Sequence, residues 1–359
     1  MTNATLSGTD SMQAVSGTAT FANLSVNRVG TGYTLWATAA ALDSVESGAF
    51  NITPGNPTTL GLLEPIPGSA SAGDPISPSL QVAVQDALGN TVPGYPGTVG
   101  VAIAADPSGG TLSGTTSRPI PPSGVVVFND LVIDKQGTGY TLRASLSGGG
   151  LNSAETPPID VTAGQGTRLA FTVQPSTQQA GLTIAPAIQV TVQDAQGNTV
   201  LTSSAPITVA ITAGTGAPGA SLGGTTTRTA ANGVATFNDL SIIRAGSAYT
   251  LTATSAALAL GTSGAFDIDP GPPAQLAFRV QPRDTTAGLT IRADSGLRVA
   301  IQDAHANTVT NATQNVTVAI TSGTGKAGAT LSGNLTRPAV NGIATFGNLS
   351  IDSAGTAYT

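Results

Sequence analysis

The sequence has no cysteine, one histidine, one tryptophan and two methionines in 359 residues, and charged residues make up only 9% of it. Without thiols there is no disulfide framework and no thiolate metal site, although export remains open because a sandwich with a full core needs no staple. With a single imidazole, His305, no triad or histidine-based metal set can recur along the chain, and the reading is non-enzymatic. Lys and Arg total 13 against 19 Asp and Glu, a net charge of −6, and the cations are scattered singly. The basic stripe of a nucleic-acid or anionic-membrane binder is therefore missing. No run of about 18 apolar residues occurs, so this segment holds no membrane-inserting stretch. The start, Met1-Thr2-Asn3-Ala4-Thr5, has neither a basic leader nor an apolar segment and does not read as a signal peptide. Helical periodicity is also missing.

What is present is repetition. The stretch from Asn232 to Ser255 occurs four times, the other copies beginning at Ser16, Ser123 and Asn341. Each copy carries Gly, Phe, Leu, Gly and Tyr at the same offsets, as in Gly233, Phe237, Leu240, Gly246 and Tyr249. The tyrosines Tyr33, Tyr140, Tyr249 and Tyr358 lie 107, 109 and 109 residues apart. The chain is an array of one module. Gly (45) and Pro (23) stay below the roughly 25–30% at which disorder becomes the default, and 40% hydrophobic residues in regular alternation point to packed cores.

Linker-like stretches at Pro54-Gly55-Asn56-Pro57, Ala163-Gly164-Gln165-Gly166 and Pro270-Gly271-Pro272-Pro273 divide the chain. The expected modules are a partial one at 1–55 with only the last four strands, complete ones at 56–164 and 165–272, and one at 273–359 that stops within its sixth strand. On this reading the segment is a window on a longer array. Its first 55 residues are expected to be unstable alone or to pair with another chain's edge. The linkers are short, and the two with Pro should be the stiffer.

Within a module, apolar residues alternate with period two. The first strand is Leu169 to Val173, matched by Leu276 to Val280 and loosely by Leu60 to Leu63. The second buries Ile188, Val190 and Val192, and the third Ile207, Val209 and Ile211. A short fourth carries Leu222. The fifth buries Ala235 and Phe237 and then Leu240 and Ile242, a change of parity that predicts a bulge or bend at Asn238-Asp239. The sixth buries Tyr249, Leu251 and Ala253, and the last Phe266 and Ile268. Seven short strands in about 108 residues with Gly-, Asn- and Pro-rich turns predict an all-β fold of tandem immunoglobulin-like, seven-stranded antiparallel β-sandwiches. The Tyr of Tyr-Thr-Leu stands where such sandwiches place a corner tyrosine, its hydroxyl bonding back to upstream backbone.

Three motifs, Asp-x-x-Gly-Asn-x-Val after the second strand, Gly-x-Ala-x-Phe-x-x-Leu in the fifth and Ala-Gly-x-x-Tyr-Thr-Leu-x-Ala in the sixth, resemble the bacterial immunoglobulin-like repeats of invasin- and intimin-type adhesins and related surface or secreted proteins. The resemblance covers the whole chain. It implies an extracellular or cell-surface location and a tandem, rod-forming stalk whose partners are its own neighbouring modules.

Candidate chemistry is sparse. Asp86 with Asn90, Asp194 with Asn198 and Asp303 with Asn307 offer a carboxylate and an amide per turn, and Asp160, Asp267 and Asp269 stand near the joints. A calcium ion wants several oxygen ligands, and Asp capping its own turn accounts for these residues, so no cofactor or metal is expected. In the third turn Ala306 stands where Gly89 and Gly197 stand in the others, so either Asn307 takes the left-handed conformation or the loop changes shape. Seven Asn-x-Ser/Thr triplets read as coincidence in a chain this rich in those residues. Trp36 falls on an outward position. The expected role is a structural spacer. The alternative is an adhesin module that touches a receptor or glycan through its inter-strand loops, with Tyr95 in Pro93-Gly94-Tyr95-Pro96 as the candidate contact, although this ring could equally pack on its own hairpin.

Overall fold

A computed structural model describes residues 4–291 and 294–359. Met1 to Asn3, part of the start read above as lacking a leader, lie outside the described residues. All regular structure among the described residues is strand, and no helix is long and apolar enough to cross a membrane. The chain divides into two compact units, Met1–Gln165 with Asp194–Asn198, and Gly166–Gln193 with Thr199–Thr359.

The second unit contains a full set of module strands. Arg168–Val173 pairs with Ile188–Gln193, which pairs with Val234–Phe237, all antiparallel. Facing them, Pro206–Ile211 lies between Thr227–Thr229 and Leu251–Thr254, and Phe266–Asp269 pairs with Gly246–Tyr249. β-branched and aromatic side chains at alternate positions pack from both sets into one core that includes Leu169, Val190, Val209, Phe237, Tyr249 and Ile268. The first unit repeats this core with Leu60, Val82, Val101, Phe128, Tyr140 and Val161. A third core lies within 291–349 and includes Leu297, Val316 and Phe346.

The all-β, immunoglobulin-like reading stands, with two refinements. The segments divide more finely than seven strands, and one pairing per full set is parallel, Gln178–Gln179 with Phe266–Asp269 and Ser69–Ser71 with Ile159–Thr162. The change of parity at Asn238-Asp239 is more than a bulge. Val234–Phe237 pairs with Ile188–Gln193, whereas Ser241–Ile242 pairs with Leu222–Gly223. The chain leaves one sheet and enters another pairing, so Phe237 and Leu240 reach the same core despite their odd spacing.

The corner tyrosine forms as expected in three copies. Tyr249 Oη donates to Arg244 O at 2.8 Å, Tyr358 Oη to Ser353 O at 2.9 Å and Tyr33 Oη to Arg28 O at 3.2 Å. Tyr140 departs from the others. Its buried hydroxyl makes no such bond, and burial, with the Asp106 and Asp134 charges nearby, pushes the phenol above its usual value.

Residues 4–55 place no side chain in a buried core. Phe21, the counterpart of Phe237, is 40% exposed, and Trp36 is 66% exposed on a strand paired with Val45–Glu46.

Candidate functional site

The feature that recurs with the same bonds in every copy is the turn after the second strand. In the first unit the strand Leu80–Asp86 ends in a carboxylate that is buried and fully occupied. Asp86 Oδ1 accepts from the N–H groups of Leu88 and Asn90, both at 2.9 Å. Its Oδ2 accepts from the linker Gly55 N–H at 2.9 Å and from Asn90 Nδ2 at 3.0 Å. Asp194 takes the same four donors from Gln196, Asn198, Gly164 and the Asn198 side chain. Asp303 takes them from His305, Asn307, Gly271 and the Asn307 side chain.

The asparagine, held by that carboxylate, reaches back along the chain. Asn90 Nδ2 donates to Asn27 O at 3.2 Å, and its Oδ1 accepts from the Val29 N–H at 3.1 Å. Asn307 Nδ2 donates to Ile243 O at 2.8 Å, and its Oδ1 accepts from the Ala245 N–H at 2.9 Å. Within the first unit, Asn198 makes the same pair with Asp134 O and the Gln136 N–H, at 2.9 and 3.2 Å. A primary amide has one acceptor and two donors, and here all three are used. The amide thus stands in for a strand, pairing with a carbonyl and an N–H two residues apart. The aspartate orients it and at the same time holds the linker glycine.

Burial alone would raise the Asp86 pKa. The hydrogen bonds from Gly55, from the Asn90 side chain and backbone, and from Leu88 outweigh it and bring the carboxyl from its ordinary 3.8 down to about 2. Asp194 and Asp303 are lowered by the same balance. The sign follows from linkage. A folded pKa below the unfolded one contributes stability that is complete above the ordinary value and is lost as pH falls through the folded one. The turn is therefore expected to hold from neutral pH down to about 4 and to open toward pH 2. Amide exchange at the Val29 N–H across this range checks the expectation, with Asp86→Ala as the variant in which the acid transition should vanish.

In the third turn Ala306 itself takes the left-handed conformation, φ 63°, against 78° at Gly89 and 88° at Gly197. Neither alternative read from the sequence holds. The loop keeps its shape, and alanine carries a strain of about 1 kcal/mol. His305 is exposed in this turn, and a Cβ built on Gly181 would lie 2.2 Å from its Nε2. The imidazole therefore sits over a glycine.

The other residues read from the sequence are placed as follows. Asp160 Oδ1 accepts from the Gly139 N–H and Asp267 Oδ1 from the Ala248 N–H, each bracing the irregular start of the sixth strand. Among the described residues no group of three or more His, Cys, Asp or Glu gathers as a metal site. Tyr95 is half-buried and packed against the core of its own module. The capping half of the Asp turn was legible in the sequence. The docking half was missed, because its partners are backbone carbonyl and N–H groups 61 to 64 residues away and leave no side-chain signature. One signal was available: Asn keeps the fifth turn position even where Gly yields to Ala306.

No protein-family model matches the chain, and no curated protein matches it in sequence. Among solved structures it is similar to FdeC, an Escherichia coli adhesin, at 16% identity over 84% of this chain and 99% of that one, with a TM-score of 0.32. It is similar to Yersinia pseudotuberculosis InvD at 15% identity over 83% and 84% of the two chains, with a TM-score of 0.31. A β-glucuronidase from Parabacteroides merdae is matched at 15% identity over 57% of this chain but only 24% of the enzyme, with a TM-score of 0.21. These values are low, and no activity or binding property is carried over from them.

Proposed function

We propose that this chain is a non-catalytic structural spacer, a stalk of immunoglobulin-like modules in a bacterial surface or secreted protein, whose joints are held by the Asp–Asn turn. One observation carries the reading. Within each unit the turn spends its asparagine amide on backbone of the segment before it and its aspartate on the linker glycine, so both groups are engaged in joining segments. Two short bonds at the turn and one at the linker restrict a joint at three points, which a flexible tether does not do. The surface location rests on the resemblance of the repeat motifs to adhesin-type modules.

Because the protein has no native cysteine, two introduced cysteines carry spin labels without background. With one label in 165–272 and one in 273–359, the spacer reading expects a narrow distance distribution. Asn307→Ala should broaden it and leave the circular dichroism of the modules unchanged, since the amide's loss spares both cores. A distribution that is already broad in the parent protein would overturn the latch. Binding to a receptor or glycan that disappears on Tyr95→Ala would favour the adhesin-module alternative instead.

A further inference from the structure

The receiving side of the latch is built from backbone alone. In the segment 165–272 it consists of Ile243 O, the Ala245 N–H and Gly181, whose φ of 83° leaves room for His305. In the first unit it consists of Asp134 O, the Gln136 N–H and Gly73 at φ 84°, where an added Cβ would lie 2.3 Å from Gln196 Nε2. Both glycines are fixed by the same bond, Gly73 N–H to Ile133 O at 3.0 Å and Gly181 N–H to Ile242 O at 2.9 Å.

The segment 273–359 repeats this arrangement. Gly288 has φ 81°, and its N–H donates to Ile351 O at 2.7 Å. The Ile291 N–H donates to Leu349 O at 2.7 Å, as Ile76 does to Leu131 O and Ile184 to Leu240 O, both at 2.8 Å. By the repeat offset, Asp352 O and the Ala354 N–H correspond to Ile243 O and the Ala245 N–H. The difference is above the glycine, where a Cβ on Gly288 would meet nothing within 4 Å.

We infer that Gly288, Asp352 O and the Ala354 N–H form a preformed docking site for the Asp-x-x-(Gly/Ala)-Asn turn of another module of this kind, joined head to tail. The occupant is set by chemistry already seen in this chain. A carbonyl and an N–H two residues apart match one primary amide, and a left-handed glycine beside them matches the third residue of the turn. The only side chain the site reads is the asparagine amide common to these turns, so it accepts the turn of any module in the array, and module order is interchangeable. This inference rests on the latched-spacer reading above.

The test extends the existing protein in register. Thr359 occupies the place of Thr250, so a second copy of residues 251–359 is appended directly after it. The appended Phe266–Asp269 strand then has a place to lie, the groove of about 700 Å³ lined in part by Thr286, Ala287, Ile291, Ile351 and Tyr358. In the preceding module the counterparts of this groove hold that strand against Gln178–Gln179 and Gly246–Tyr249. Spin labels in 273–359 and in the appended module should give a distribution as narrow as that between 165–272 and 273–359. Exchange at the Ala354 N–H should slow. Replacing the appended copy of Asn307 by Ala should reverse both effects and leave the older joint narrow. A broad new distribution with an unchanged Ala354 N–H, beside a narrow older joint, would overturn the docking site while leaving the latch intact. If both joints are broad, the spacer reading itself falls.

Discussion

Asp303→Ala is expected to cost the second unit about 3 kcal/mol or more, because one buried carboxylate accepts four hydrogen bonds from neutral donors. The carboxylate is 1% exposed and accepts from Gly271, His305, Asn307 and the Asn307 side chain at 2.8 to 2.9 Å. An alanine leaves the buried Gly271 N–H and three part-buried donors without their acceptor, and each charge-assisted bond is worth about 1.5–3 kcal/mol before non-additivity. The loss also frees the Asn307 amide to rotate away from Ile243 O. Two readouts should therefore move together: the denaturant midpoint of the second unit, and the exchange rate of the Ala245 N–H. Asp303→Asn is no rescue, because its NH₂ group faces donors either way it turns: the Gly271 N–H and Asn307 Nδ2 in place of Oδ2, or the His305 and Asn307 N–H groups in place of Oδ1. A variant that lost less than about 1 kcal/mol, the worth of an ordinary hydrogen bond, would show that the turn does not depend on the carboxylate.

Phe237→Ala is expected to be equally damaging for a different reason. The ring is fully buried where Val234–Phe237 pairs with Ile188–Gln193, just before the chain changes sheet. Truncating a buried Phe costs about 3–5 kcal/mol through lost transfer energy and the cavity left behind. Against a domain stability of about 5–15 kcal/mol, this is a third or more of the total for much of that range. The repeat supplies the control. Phe21 holds the same offset but is 40% exposed and outside any core, so Phe21→Ala should cost a fraction of that amount. Urea titrations of the two variants, followed by circular dichroism, check the contrast. Equal losses would mean that repeat position rather than burial decides the contribution of the ring.

The same comparison separates the segments. Leu169 is 3% exposed in 165–272, while its counterpart Leu276 is 57% exposed in 273–359. In the former, Leu169 N–H bonds to Ala259 O and the strand Gly261–Thr262 lies beside it. Strands that share Leu-Ala-Phe-x-Val thus end in different environments according to what the later part of the module covers. Local alternation cannot report that.

Much was determined by the sequence alone. The period of the Gly, Phe, Leu, Gly and Tyr set, the two-residue alternation and the position of Tyr249 specify strands, their inward faces and the corner bond, because side-chain direction in a strand follows from position and needs no distant partner. The aspartate cap was equally readable, since its turn donors lie two and four residues away. Tertiary structure decided what depends on contacts across long sequence separations. It turned the parity change at Asn238-Asp239 into a change of sheet, kept the loop shape by placing Ala306 at φ 63°, and aimed Asn307 at a carbonyl 64 residues back. Those outcomes are backbone geometry meeting backbone geometry, and a backbone carbonyl has the same composition in every residue.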